Sequence, residues 1–197
     1  MFPFGRRGVV ALLAATLSVG LLTSCSGGSD AVDQTAGSQF RFVAGDGTGR
    51  VIPAEDRKTA PSFSGDLVGD GTFDSASLAG KVAVINFWGQ WCGPCRVETP
   101  DFEKVYQATR SQGVQFVGID VKDSEQLAQA FLADKKISYP SVFDPDGRVA
   151  LRFRDFPPNA IPSTIVLDRQ SRVAAVFLKP LLTEDIQPLV TRLAAEK

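Results

Sequence analysis

The sequence predicts an α/β fold in which a central mixed β-sheet is flanked by helices. Three observations predict it. Residues 82–88 (VAVINFW) are apolar and β-branched almost throughout, which marks a strand buried on both faces. A second such run, residues 114–120 (VQFVGID), follows after a helical stretch, as a β-α-β unit requires. Residues 163–168 (STIVLD) and 173–178 (VAAVFL) flank a short polar turn and read as a β-hairpin.

In chain order, Gly69-Asp70-Gly71 forms a turn before Thr72 and Phe73, and Leu78-Ala79-Gly80-Lys81 leads into the first strong strand. A helix opens at Trp91-Cys92-Gly93-Pro94-Cys95 and runs to about Ser111. Val97, Phe102, Val105 and Tyr106 are partly helix-spaced along it, and Gly113 is its expected C-cap. Ser124 caps a second helix with Leu127, Ala130 and Phe131 expected on one face. Residues 140–144 form a short strand closed by Pro145-Asp146-Gly147. After the hairpin, residues 183–196 form an amphipathic helix with Thr183 as N-cap. Pro188 is expected to kink that helix or delay its start. The order is β-α-β-α-β-ββ-α, without internal repeats.

Composition narrows the chemistry. The 197 residues carry 44% apolar and 22% charged side chains, enough for one domain with a real core. The net charge of −1 and pI near 5.5 give no basic face for a nucleic acid. There is no histidine and there are only three cysteines. A Ser-His-Asp or Cys-His nucleophile, an imidazole metal ligand and a four-cysteine zinc site are therefore excluded. No metal and no cofactor are expected.

Residues 1–24 read as an export signal. Arg6 and Arg7 form the basic region, and residues 9–22 are uncharged but too short for the roughly 20 apolar residues of a comfortable membrane span. Leu22-Thr23-Ser24-Cys25 resembles a bacterial lipobox, which implies cleavage after Ser24 and a lipid on Cys25. Residues 26–39 (SGGSDAVDQTAGSQ) are small and polar, and residues 25–59 are expected to form the lipidated start and a flexible tether. The domain proper is expected over residues 60–197.

Cys92 and Cys95 are then the pair left for chemistry. A CxxC that follows a buried strand and opens a helix is a redox arrangement. Two intervening residues bring the sulfurs within disulfide range, and the helix N-terminus stabilises thiolate through its unpaired N–H groups. Cys92, nearer that field and more exposed, is the expected nucleophile; Cys95, a turn deeper, is the resolving thiol. Pro94 fits the first turn, where its missing N–H costs nothing. A structural disulfide closing so small a loop would stabilise little, and a metal site lacks further ligands of the usual kind.

The stretch from Ala60 to Glu196 resembles the thioredoxin superfamily, and within it the TlpA/ResA group of membrane-tethered thiol–disulfide oxidoreductases. The residues that carry the resemblance are Ala60-Pro61 with Phe63, Leu78-Ala79-Gly80-Lys81, Val84-Ile85-Asn86-Phe87-Trp88, Trp91-Cys92-Gly93-Pro94-Cys95-Arg96 and Ile161-Pro162-Ser163-Thr164. Residues 113–143 look like the βα insertion of that group. The resemblance implies that Pro162 is cis and faces the cysteines. It implies too that the backbone beside it, at Ile161, pairs with a substrate chain. Trp91, Gly93 and Pro94 would contact substrate. Glu98, three residues after Cys95, would serve in proton transfer. Asn86 stands where thioredoxin carries a buried aspartate, and asparagine cannot titrate. Phe153, Phe156, Pro157 and Pro158 either extend a substrate groove or form a covered loop.

The Gly-Pro dipeptide matches thioredoxin, whose potential near −270 mV is reducing. The resemblance thus implies a monomeric, lipid-anchored reductase on the extracytoplasmic face of the cell membrane. A CcdA/DsbD-type membrane carrier would supply its electrons, and exported cysteine-containing proteins, apocytochrome c included, would be its substrates. A Dsb-like oxidase or isomerase on the same scaffold is the rival, and a non-enzymatic metallochaperone is a weaker one. Peroxidase chemistry would want a threonine three positions before Cys92, where Gly89 stands.

Overall fold

Six strands form one mixed sheet in the order β1-β8-β7-β4-β5-β6. The computed structural model describes residues 49–156, 158 and 160–196. The strands are β1 (Gly49–Val51), β4 (Val82–Trp88), β5 (Val114–Val121), β6 (Ser141–Asp144), β7 (Ser163–Leu167) and β8 (Val173–Phe177). A separate hairpin pairs β2 (Ser64–Asp66) with β3 (Thr72–Asp74). Three helices complete the chain: α1 (Gly93–Thr109), α2 (Glu125–Asp134) and α3 (Thr183–Ala195). This is a thioredoxin-like fold.

All seven residues of β4 are buried, as its apolar run requires. It pairs in parallel with β5 and antiparallel with β7. Its side chains alternate between two cores. Val82 and Val84 join Phe102 and Val105 of α1 and Ile186, Leu189, Val190 and Leu193 of α3. On the opposite face Phe87 meets the Phe153 ring edge-on, and Phe153 in turn meets Phe63, which stacks on Phe73. Each such fully buried apolar side chain contributes roughly 1.5–3 kcal/mol. Residues 113–143 supply Gly113 (φ 82°), β5, α2 and most of β6, with β6 parallel to β5. Gly118 is obligatory there: a Cβ would lie 2.7 Å from Trp88 Nε1 and 2.5 Å from Ser141 Oγ, between the partners of a 2.9 Å hydrogen bond.

Several expectations need correction. The folded unit begins before residue 60, since β1 pairs with β8, Ile52 is fully buried and Arg57 is buried. The expected signal (1–24), Cys25 and the tether up to residue 48 lie outside the described residues. On α2, Leu127 and Ala130 are exposed, and the buried face consists of Ala128 and Phe131. On α1, Val97 is exposed while Glu98 is buried. Leu182, not Thr183, is the N-cap of α3; its N–H donates to Asp185, and Thr183 Oγ1 donates to Asp101 on α1. The helix runs on through Pro188, because Ile186, Leu189, Val190 and Leu193 hold it to the core on both sides of the missing hydrogen bond.

Arg57 fastens the N-terminal segment to the rest. Its guanidinium bonds Asp168 at 3.2 Å, Glu196 and the Ile52 carbonyl. Asp168 is fully buried and also accepts from Arg172. Removing Arg57 would leave Arg172 as the one cation on Asp168 among the described residues, beside the Gln170 N–H. Arg57→Ala is expected to destabilise the domain by about 3 kcal/mol, the low end for a broken buried pair. Urea unfolding measures it, and a loss below about 1 kcal/mol, the worth of a surface pair, would contradict the assignment.

Candidate active site at the start of α1

The end of β4 positions the site. The chain leaves the sheet at Trp88, turns through Gly89 to Trp91, and enters α1 with Cys92 as N-cap. Cys92 Sγ accepts the Cys95 N–H at 3.2 Å, so the helix start points an unpaired donor at that sulfur. The two cysteines form a disulfide with their Cα atoms 5.3 Å apart. Cys92 retains 5% of its surface and Cys95 none. The outer sulfur is therefore the one a second protein can reach, as the sequence implied.

The turn itself is held by β5 and the loop after it. Gln90 N–H donates to Asp123 Oδ2 at 2.6 Å, and Trp91 Nε1–H donates to the Val121 carbonyl at 3.3 Å. Gly89 packs so closely that a Cβ would come within 2.6 Å of the Trp91 indole nitrogen.

Register brings β7 to the same place. Ser163 pairs with Phe87, which sets Pro162 level with the end of β4. The Ile161–Pro162 peptide is cis and Pro162 is buried. Ile161 packs against the cluster of Trp88, Cys92, Cys95, Ala128 and Phe131. A cleft of about 310 Å³ opens beside it, with Trp91 and Ile161 on its walls, Phe87 within and Lys122 and Pro158 also lining it. Gly93 and Pro94 are exposed on the helix start and do not line that cleft. Phe153 and Phe156 are buried, which fits the covered-loop alternative for those two; Pro157 lies outside the described residues.

Glu98 sits one helical turn beyond Cys95 and is fully buried. Asn86 Nδ2 donates to its Oε1 at 2.8 Å and the Leu181 N–H to its Oε2 at 3.0 Å; Asn86 also donates to Thr164 at 3.3 Å. Desolvation dominates and pushes the carboxyl up to about 7, against the opposing pull of those donors. Glu98 is thus poised to gain and lose a proton near neutral pH. The polar line Glu98–Asn86–Thr164 runs from α1 through β4 to β7.

Two acidic residues escaped the sequence reading. Asp120, near the end of β5, is fully buried, and Asp123 anchors Gln90. An aspartate inside an otherwise apolar strand run was the signal for the first. Among the described residues no group of three or more His, Cys, Asp or Glu is placed to hold a metal ion.

Comparison with known proteins gives consistent neighbours. A family model described as the AhpC/TSA family matches residues 57–176. The chain is similar to the thiol:disulfide interchange protein HelX of Rhodobacter capsulatus, 33% identical over 68% of this chain and 76% of that protein. It is similar to the thiol-disulfide oxidoreductase ResA of Bacillus subtilis, 32% identical over 59% of this chain and 64% of that protein. Among solved structures, a secreted thiol-disulfide isomerase from Corynebacterium glutamicum superposes with a TM-score of 0.74. It is 34% identical over 81% of this chain and 100% of that one.

Two outcomes follow for this geometry. Cys92→Ala should abolish disulfide exchange, while Cys95→Ala should retain attack and accumulate mixed disulfides through Cys92, both read by non-reducing electrophoresis. Glu98 binds its proton more tightly folded than unfolded, so its contribution to stability is full below about pH 4.5 and is lost as pH rises through 7. Across that window the loss is on the order of 3 kcal/mol. Glu98→Gln should remove that part of the slope when urea unfolding is followed against pH; an unaltered slope would contradict the burial argument.

Proposed function

The chain belongs to the AhpC/TSA family of the thioredoxin superfamily, and from that premise we propose a lipid-anchored, extracytoplasmic reductase of protein disulfides. It is a thiol–disulfide oxidoreductase of the HelX and ResA kind. Its substrates are disulfides of exported proteins, the CxxCH pair of apocytochrome c before haem attachment among them. The observation that carries the reading is the asymmetry of the pair. Cys92 keeps a little exposed surface next to Trp91, which walls an apolar cleft, and Cys95 is fully buried.

In the reduced protein the Cys92 thiolate, stabilised at the helix N-terminus, attacks one substrate sulfur. A Cys92–substrate disulfide forms and the substrate's other sulfur leaves as a thiolate. Cys95 then loses its proton and attacks Cys92 Sγ. The Cys92–Cys95 bond closes and the second substrate thiolate departs, so two electrons have passed to the substrate. Glu98, one turn from Cys95, is the group for that proton, and with no histidine in the chain a buried carboxyl is the neutral-pH acid–base group available. The backbone at Ile161, beside cis-Pro162, pairs with the substrate as a short strand, and Trp91 packs on it. Gly93 and Pro94, exposed at the helix start, complete the contact surface. A CcdA/DsbD-type membrane carrier returns the two electrons. Cys25 carries the lipid, and the chain acts as a monomer. Peroxide chemistry is disfavoured by Gly89, which brings no hydroxyl three positions before Cys92.

A second reading has its own support: the neighbour from Corynebacterium glutamicum is described as a secreted isomerase. Trapping separates the two. Cys95→Ala expressed in cells should capture apocytochromes; a broad set of newly exported proteins would favour the oxidase or isomerase. The potential of the purified protein is expected near that of thioredoxin, roughly −270 mV, and a value above roughly −150 mV would count against the reductase.

A further inference from the structure

Asp120 is the penultimate residue of β5, in register with Trp88 on β4 and Phe143 on β6. Its side chain is fully buried, and neither carboxyl oxygen has a hydrogen-bond partner among the described residues. A bare carboxylate in that position would be strongly disfavoured. The neighbour that can relieve it is Asp123, three residues on, whose carboxyl lies within side-chain hydrogen-bonding reach of Asp120. That carboxylate already holds two backbone donors, Gln90 N–H at 2.6 Å on Oδ2 and Ser124 N–H at 2.8 Å on Oδ1, so it is committed to accepting. Two ionised carboxylates cannot bond to each other; with one proton between them they can.

We propose that Asp120 and Asp123 share a single proton, which Asp120 carries and donates to Asp123. Through Gln90 this acid pair positions the turn that presents Cys92. Asp120 is thus a positioning residue: it acts through Asp123, and Asp123 acts on the backbone two residues before the nucleophile. The inference rests on thiol–disulfide exchange at Cys92 and is independent of the direction of electron flow, the lipid anchor and the substrate.

Among the described residues nothing offers Asp120 a competing partner. On β6, Asp144 turns its carboxylate to the Arg148 and Val149 N–H groups. At the start of α2, Glu125 accepts the Gly69 N–H. On α1, Arg96 lies over the Phe131 ring at 5.9 Å, and Cys92 and Cys95 are bonded to each other. Lys122 lines the substrate cleft. Burial, reinforced by the Asp123 charge, pushes the Asp120 carboxyl up to about 8. Below that pH the pair carries one negative charge and the turn is held. Above it two adjacent carboxylates repel, Asp123 is driven from Gln90, and the extra charge disfavours a thiolate at Cys92.

The test uses the full-length chain. Infrared spectra of the oxidised protein at pH 7 should contain protonated-carboxyl absorption of which Asp120→Asn removes a distinct component, separate from that removed by Glu98→Gln. Iodoacetamide alkylation of reduced Cys92, followed from about pH 5 to 10, should show an alkaline inflection that Asp120→Asn abolishes, because an amide donates to Asp123 at every pH. Asp123→Asn gives a second arm: it removes the charge that would repel an ionised Asp120 and one of the two backbone acceptors, so the alkaline inflection in Cys92 alkylation should be lost there too. If Asp120→Asn does not fold, that arm decides. Survival of the alkaline inflection in Asp123→Asn, or an Asp120→Asn alkylation profile superposing on the parent's up to pH 9, would overturn the proposal.

Discussion

The structure depends on β4 being buried on both faces and bonded on both edges. A strand so placed cannot shift register without exposing one core and disrupting two ladders, so its C-terminal end is the most rigid launching point in the domain. Across β4 the sheet changes from parallel pairing with β5 to antiparallel pairing with β7. Both neighbours contribute at its C-terminal end. The end of β5 delivers Val121, whose carbonyl takes the Trp91 indole N–H, and the loop beyond delivers Asp123 for Gln90. The start of β7 delivers cis-Pro162. The disulfide needs no dedicated scaffold of its own. It sits where three strand ends already meet.

The same burial that fixes the site also creates its proton chemistry. A chain without histidine has no side chain that titrates near neutral pH unless the environment makes one. Glu98 and Asp120 are both raised by desolvation, yet they are compensated differently. Glu98 has two donors and keeps a stable geometry in either protonation state. Asp120 has none, so its ionisation must rearrange something. That contrast separates a group suited to exchanging a proton from one suited to holding it.

Much of this was legible in the sequence because the signals were local. The VAVINFW run, the CxxC after it, Ser124 as N-cap and Gly113 with positive φ each follow from a few adjacent residues. What was missed depends on distant partners. Gly49–Val51 is too short for any pattern and becomes a strand through β8, more than 120 residues on. Arg57 looks like an ordinary tether residue until Asp168 and Glu196 meet it. The α2 face was assigned to Leu127, Ala130 and Phe131; Phe131 does pack, but with Ala128, while Leu127 and Ala130 are exposed. Asp120 closed a run read as a buried strand and was given no chemical role, because whether its carboxyl finds a donor depends on residues distant in sequence.

Burial also imposes an order on the exchange reaction. An incoming disulfide can touch Cys92 but not Cys95, whose sulfur is wholly enclosed by Trp88, Phe131 and Ile161. On the proposed function the first bond therefore forms at Cys92. Once it has, the one thiol that can reach Cys92 Sγ from inside is Cys95, held one helical turn below, so resolution is intramolecular and outruns attack by a second external thiol. The exposed Trp91 stands next to Cys92 and on the cleft wall, apolar surface on which the proposed partner chain would rest before covalent contact. Rigid strand ends, a helix N-terminus and an enclosed second sulfur are together sufficient to make two ordinary cysteines act in sequence.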